Sequence, residues 1–316
     1  MMASDHTPDW HARRAKVIGG SEIAALYGVQ QPYQMGLYAL WHCKAGLIDP
    51  PPVEGERIDW GNRLEAIIGE WAATENDWTI TKGDHVVDAT TPGLGCTLDF
   101  KIEAPGPNDD GCEGPGCLEA KNVDWLQHKQ KWVDDEPPIH ILLQLQEQLA
   151  ATGYTWGAVV ALVGGNDLRI YRYHARPALI ADIRKRVTAF WQSISDNKPP
   201  PIDGSDSAFY ALREIHPEIV DDAICLDGDN RFPVLCAELH AASEARKVAE
   251  ATEDALKAEL EEKLGAHKRA WGEGWSASFV VNRGSEGKVI TLDMVGTVIN
   301  ARKPSRYVKV KESKTA

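Results

Sequence analysis

A chain of 316 residues with a net charge of −13 is unsuited to coating nucleic acid, which calls for a basic surface. Its apolar fraction of 43% suits a globular core, and no apolar run approaches the roughly 18 residues of a membrane-spanning helix. The length fits one large domain plus an appendage. The first residues, MMASDHTPDWHARR, carry no apolar stretch, so no secretory signal is read there and a cytoplasmic protein is expected. Six cysteines without a CxxC pair are expected to be free thiols, those flanking the loop CEGPGC included.

In chain order, residues 21–28 and 34–46 have helical character. A helix is predicted over 58–76, where Trp60, Leu64, Ile67, Ile68 and Trp71 recur at helical spacing and are assigned to the core. Two strands follow, GCTLDFKIEA and GCLEAKN, separated by a Gly/Pro/Asp loop at 104–116. A helix is predicted from Asp124, with Trp125 and Trp132 again assigned to the core. Residues 139–151 read as a helix closed by Gly153. Residues 158–174 read as a hairpin turning at GGND, and 178–195 as an amphipathic helix. Residues 196–206 read as a linker, which divides the chain into a domain over 1–202 and an extension over 203–316. The extension is predicted to hold one long heptad-patterned helix at 233–266 and a small β region at 275–310. The fold class is α/β, a central mixed sheet flanked by helices.

The most informative chemistry lies on the two strands. Side chains two apart on a strand share a face, so Glu119 and Lys121 point the same way, and Asp99 reaches them if the strands pair as a hairpin. Two carboxylates beside an ammonium suit a hard divalent cation and a water aimed at a phosphodiester. On their own these residues also fit a solvated hairpin face. Basic residues for a nucleic-acid path would come from Arg13, Arg14, Lys16, Lys129 and Lys131.

Several ordered motifs resemble one family: WHARRAKVIGGSEIAALYG at 10–28, DWGNRLE at 59–65, CTLDF at 96–100, LEAKN at 118–122, LLQLQEQLAATG at 142–153 and VGGNDLRIYRY at 163–173. Together they make residues 8–202 similar to the YqaJ-like viral recombinases, relatives of phage lambda exonuclease. The resemblance implies a restriction-endonuclease-like core and a metal-dependent 5′→3′ exonuclease acting on double-stranded DNA ends. It implies Asp99, Glu119 and the carbonyl of Ala120 as Mg²⁺ ligands (Mn²⁺ as a substitute), with Glu65 adding an acidic group. It implies Lys121 as the group that orients the attacking water, Gln144 as a polar neighbour of that water, and Arg14, Ser21 and Thr97 as the 5′-phosphate site. A ring-shaped homo-oligomer, possibly a trimer, a phage single-strand annealing partner and a bacterial host cytoplasm follow from the same resemblance, and no membrane is involved. Phe100 stands where many relatives have Gly and is expected to pack on the face away from the metal.

Other readings stay open at this stage. Arg14 also suits an ion pair with Asp9 or Glu22, Ser21 a helix cap, and Gln146 rather than Gln144 the polar role. The same fold also serves endonucleases and single-strand nucleases. A catalytically silent DNA-binding scaffold is the reading from another class.

Overall fold

The computed structural model describes residues 12–52, 55–107, 109–218, 221–282 and 305–312. The chain divides into two compact units, Met1–Val220 and Asp221–Ala316. Trp10 and Asp9 lie outside the described residues. Among the described residues no helix is long and apolar enough to cross a membrane, and all six cysteines are free.

The first unit is built on a five-stranded sheet in the order β1-β4-β5-β6-β7, made of β1 (Ile80–Lys82), β4 (Phe100–Ile102), β5 (Gly116–Val123), β6 (Trp156–Val163) and β7 (Asp167–His174). Only β5 and β6 run parallel; the other neighbours are antiparallel. The expected mixed sheet is present. Two short strands, β2 (His85–Val87) and β3 (Gly95–Thr97), form a separate ribbon. The single strand expected over 95–104 is thus broken at Leu98 and Asp99, and its halves serve two different sheets.

Strand alternation sorts the core into two layers. The even-numbered residues Leu118, Trp156, Ala158, Val160 and Leu162 pack against α3 (Glu56–Asn76) through Ile68 and Ala72. The odd-numbered residues Cys117, Val159, Ala161 and Val163 share a layer with α1 (Ile23–Leu26), α2 (Leu37–Lys44), α5 (Ile139–Thr152) and α6 (Pro177–Ser195). A strand buried on both faces reads as a continuous apolar run, which is why β6 is WGAVVALV. The crossover from β5 to β6 runs through α4 (Trp125–Lys131) and α5. Asp124 caps α4, accepting from the N–H groups of Leu126 at 2.9 Å and Gln127 at 3.2 Å. Gly153 ends α5 in the left-handed region at φ 73°.

Two assignments to the core are corrected. On α3 the face turned to the sheet carries Ile68, Gly69, Ala72 and Ala73; Trp60 is 55% exposed, Ile67 55% and Trp71 41%. Gly69 sets this rotation, because a Cβ there would lie 2.6 Å from the Phe100 ring. The close approach that only glycine allows seats Phe100 on this layer, away from the odd-numbered face, as expected. Trp125 is exposed, with Lys129 Nζ 5.0 Å over its ring, whereas Trp132 is buried.

The first unit also continues past residue 202. Helix α7 (Asp206–Ile215) buries Ala211 with Ala39 of α2 and Ile48. Ser207 Oγ accepts from Gly36 N–H at 2.8 Å. In the second unit, α8 (Arg231–Leu264) leads to a three-stranded sheet of β8 (Arg269–Gly272), β9 (Trp275–Asn282) and β10 (Ser305–Glu312). Leu264 packs there with Ala277 and Phe279.

Candidate active site

The site forms where β4 begins. The β4–β5 ladder pairs Phe100 with Leu118, and continuing that register sets Asp99 opposite Glu119. Residues opposite one another on paired strands share a face, so Asp99, Glu119 and Lys121 belong to the odd-numbered layer, the one covered by α5. Asp99 Oδ2 accepts from the Ala120 N–H at 2.8 Å. A strand residue's N–H and C=O leave on the same edge, so the Ala120 carbonyl also points toward Asp99 rather than into the β5–β6 ladder.

Glu119 is 2% exposed and has three donors. Lys121 Nζ and Gln144 Nε2 both bond Oε1, the latter at 2.6 Å, and Gln148 Nε2 bonds Oε2. Lys121 Nζ also reaches Gln144 Oε1 at 3.2 Å. Gln146 points elsewhere, donating to the His174 carbonyl at 2.9 Å and accepting from Arg176 N–H at 2.8 Å. Of those two, Gln144 and not Gln146 contacts Glu119.

Burial and the neighbouring Glu119 charge hold the Asp99 carboxyl well above its usual range, with Glu65 adding to the rise and Lys121 opposing it. For Lys121, burial pulls the ammonium down, but Glu119 and Asp99 together outweigh it and the net shift is upward. The two carboxylates thus favour the charged form of Lys121.

Glu65 sits apart. It lies on α3, against the even-numbered face, and pairs with Lys82; Lys82 in turn lies 5.3 Å over the Phe100 ring. Among the described residues no group of three His, Cys, Asp or Glu side chains is gathered closely enough to hold a metal. The donor chemistry of Asp99, Glu119 and the Ala120 carbonyl nonetheless fits a hard divalent cation: two adjoining carboxylates, one of them buried, repel each other, and a carbonyl on the same edge adds a neutral oxygen. Glu65 does not join that set in this arrangement.

Arg14 and Ser21 are together: Arg14 Nη2 donates to Ser21 Oγ at 2.8 Å. Arg14 Nε also lies 3.4 Å from Glu22 Oε1, so the ion pair with Glu22 exists alongside the contact to Ser21. Ser21 does not cap α1, whose first flanking residue is Glu22. Thr97 is exposed on β3, with Oγ1 3.4 Å from His85 Nδ1. Burial, and then the charge of Arg13, keep that histidine below its usual pKa. The Arg13 charge therefore reaches His85, the neighbour of Thr97. The segment rests on α5 at Gly20, where a Cβ would lie 2.8 Å from Gln144 Cγ and 3.1 Å from Glu147 Oε2.

Three partners escaped the sequence reading: Gln148, Lys82 and the Glu22–Lys44 pair. For Gln148 a signal existed, since Gln144 and Gln148 stand four apart and share a helical face. Nothing in the sequence marked Lys82 or Lys44.

Residues 9–155 match the family model described as the YqaJ-like viral recombinase domain. No curated protein matches the chain. Among solved structures, the chain is similar to LHK-Exo in complex with dAMP, at 22% identity over 61% of this chain and 94% of that one, with a TM-score of 0.49. It is also similar to an alkaline exonuclease (LHK-Exo) from Laribacter hongkongensis, at 20% identity over 66% and 97%, with a TM-score of 0.49.

Proposed function

We propose that this chain, whose residues 9–155 are a YqaJ-like viral recombinase domain, is a metal-dependent 5′→3′ exonuclease on double-stranded DNA. The observation that carries this reading is the pairing of Asp99 and Glu119 on facing register positions, with Lys121 on the same strand face. On this reading Asp99, Glu119 and the Ala120 carbonyl hold Mg²⁺, with Mn²⁺ as a substitute. The ion, when bound, supplies a polarised water and charge neutralisation at the phosphate.

The chain's own residues do the rest. Gln144 and Lys121 hold Glu119 by one oxygen, which orients the carboxylate. Lys121, kept protonated by the two carboxylates, donates to the water or to a phosphate oxygen and so lines up the attack. Arg14 and Ser21 offer a guanidinium fork beside a hydroxyl, a donor pair suited to a terminal phosphate. The product is a 3′ single-stranded overhang, the substrate of an annealing protein in phage-type recombination, and a ring-shaped oligomer would keep the enzyme on its DNA.

The test is linear duplex DNA phosphorylated at one 5′ end only, incubated with Mg²⁺ or with chelator while both strands are followed. Metal-dependent loss of the 5′-phosphorylated strand is expected. Internal nicks or loss from the 3′ end would replace this reading with an endonuclease or another polarity. Intact DNA that is still bound would leave a scaffold.

A further inference from the structure

Gln148 is 1% exposed, sits one helical turn beyond Gln144 on α5, and gives its amide N–H to Glu119 Oε2. Every other donor to Glu119 named above goes to Oε1. Its own amide oxygen is buried without a partner. The Glu119 contact fixes the amide's orientation, because turning it over would set an oxygen against the carboxylate. A buried amide with an unsatisfied oxygen is a cost to folding, and a methionine of similar length would fill the same space without it.

We infer that Gln148 is a positioning residue for Glu119: by holding Oε2 against α5 it stops the carboxyl from turning both oxygens onto Lys121, and so keeps Glu119 available to a divalent cation. This rests on the nuclease reading above. Lys121 is an ammonium next to Glu119, and a carboxylate released at Oε2 is free to rotate into a two-oxygen ion pair with it. Partners that orient a ligand in this way are typically worth about 10–100-fold in metal affinity or activity.

The experiment compares the full chain with Gln148→Met and Gln148→Asn. Mn²⁺ binding without DNA is read by electron paramagnetic resonance, turnover of duplex DNA is followed against Mg²⁺ concentration, and thermal melting is recorded. Gln148→Met is expected to melt at or above the wild-type temperature. It should bind Mn²⁺ about tenfold or more weakly, need correspondingly more Mg²⁺, and recover turnover when Mg²⁺ is raised. A merely structural role would move melting and leave the Mg²⁺ requirement alone. If Gln148→Met does not fold, Gln148→Asn carries the test, since it keeps the amide but not the reach. Wild-type Mn²⁺ affinity in a folded variant overturns the inference and leaves the nuclease reading standing. A wild-type chain without metal-dependent turnover removes both.

Discussion

Lys44 Nζ lies 2.8 Å from Glu22 Oε2, and both side chains are almost wholly removed from solvent. The same ammonium donates to the carbonyls of Arg14 at 2.8 Å and Val17 at 2.7 Å. Burial pulls the Lys44 pKa down while Glu22 supports the charge. One buried lysine therefore ties down the whole segment that carries Arg14 and Ser21. Removing one partner of a buried pair typically costs about 3–5 kcal/mol. Lys44→Met is expected to fall near the low end, because Glu22 keeps Arg14 and the Gly19 N–H. Urea unfolding checks this, and an unchanged midpoint would mean that the pair adds nothing net.

Lys121→Ala is expected to lower turnover by about 10²–10⁴-fold, the range of a positioned proton-handling or donor group, while DNA binding is retained. Single-turnover kinetics at saturating DNA measure it. A rate within threefold of wild type would remove Lys121 from the chemistry.

Arg14→Ala should abolish the preference for 5′-phosphorylated over 5′-hydroxyl ends, with much less effect on the cleavage rate at saturating substrate. Paired substrates differing only in that phosphate decide the matter. A preference that survives would move the phosphate site away from Arg14 and Ser21.

Glu147 is fully buried and neither carboxyl oxygen has a hydrogen-bond partner. Burial raises its pKa well above the usual carboxylate range, and Glu22, Glu119 and Asp88 push it further. A raised folded pKa leaves stability intact below the unfolded carboxylate range and erodes it as pH climbs toward the folded value. One proton taken up in this way is worth about 1.4 kcal/mol per pH unit. Glu147→Gln is expected to flatten the decline between about pH 5 and pH 8 and to be the more stable protein at the upper end. Parallel pH profiles in wild type and variant would show that Glu147 is not the group responsible.

Much of the fold was legible in the sequence because period and punctuation agree. Continuous apolar residues made β6, Gly153 closed α5, and Asp124 opened α4. The α3 helix was misread because it carries two apolar sectors. Its large residues, Trp60, Ile67 and Trp71, suggested the core, but the sheet takes the side with Gly69, Ala72 and Ala73, where backbones can approach. Of the candidate site, Asp99, Glu119, Lys121 and Gln144 do come together. Glu65 spends its direct contact on Lys82 although its charge reaches Asp99, and the strand break at Leu98 and Asp99 turns Thr97 into another ribbon. Neither pairing partner nor sheet face is written in local pattern.

The end of the folded unit was also drawn too early. A chain stopped after Pro201 loses α7 and uncovers Ala39 and Ile48, whereas one stopped at Val220 keeps them covered. The shorter piece is expected to melt at a lower temperature than the longer, and equal melting would make α7 dispensable.

Gly20 rests on Gln144, and Gln144 grips Glu119. On the proposed reading, the group that holds the end of the strand and the group that cuts it share a single rigid support. Such an enzyme works as a gauge. On that reading the clasped end and the cut meet at one side chain of α5, which fixes part of the spacing between them.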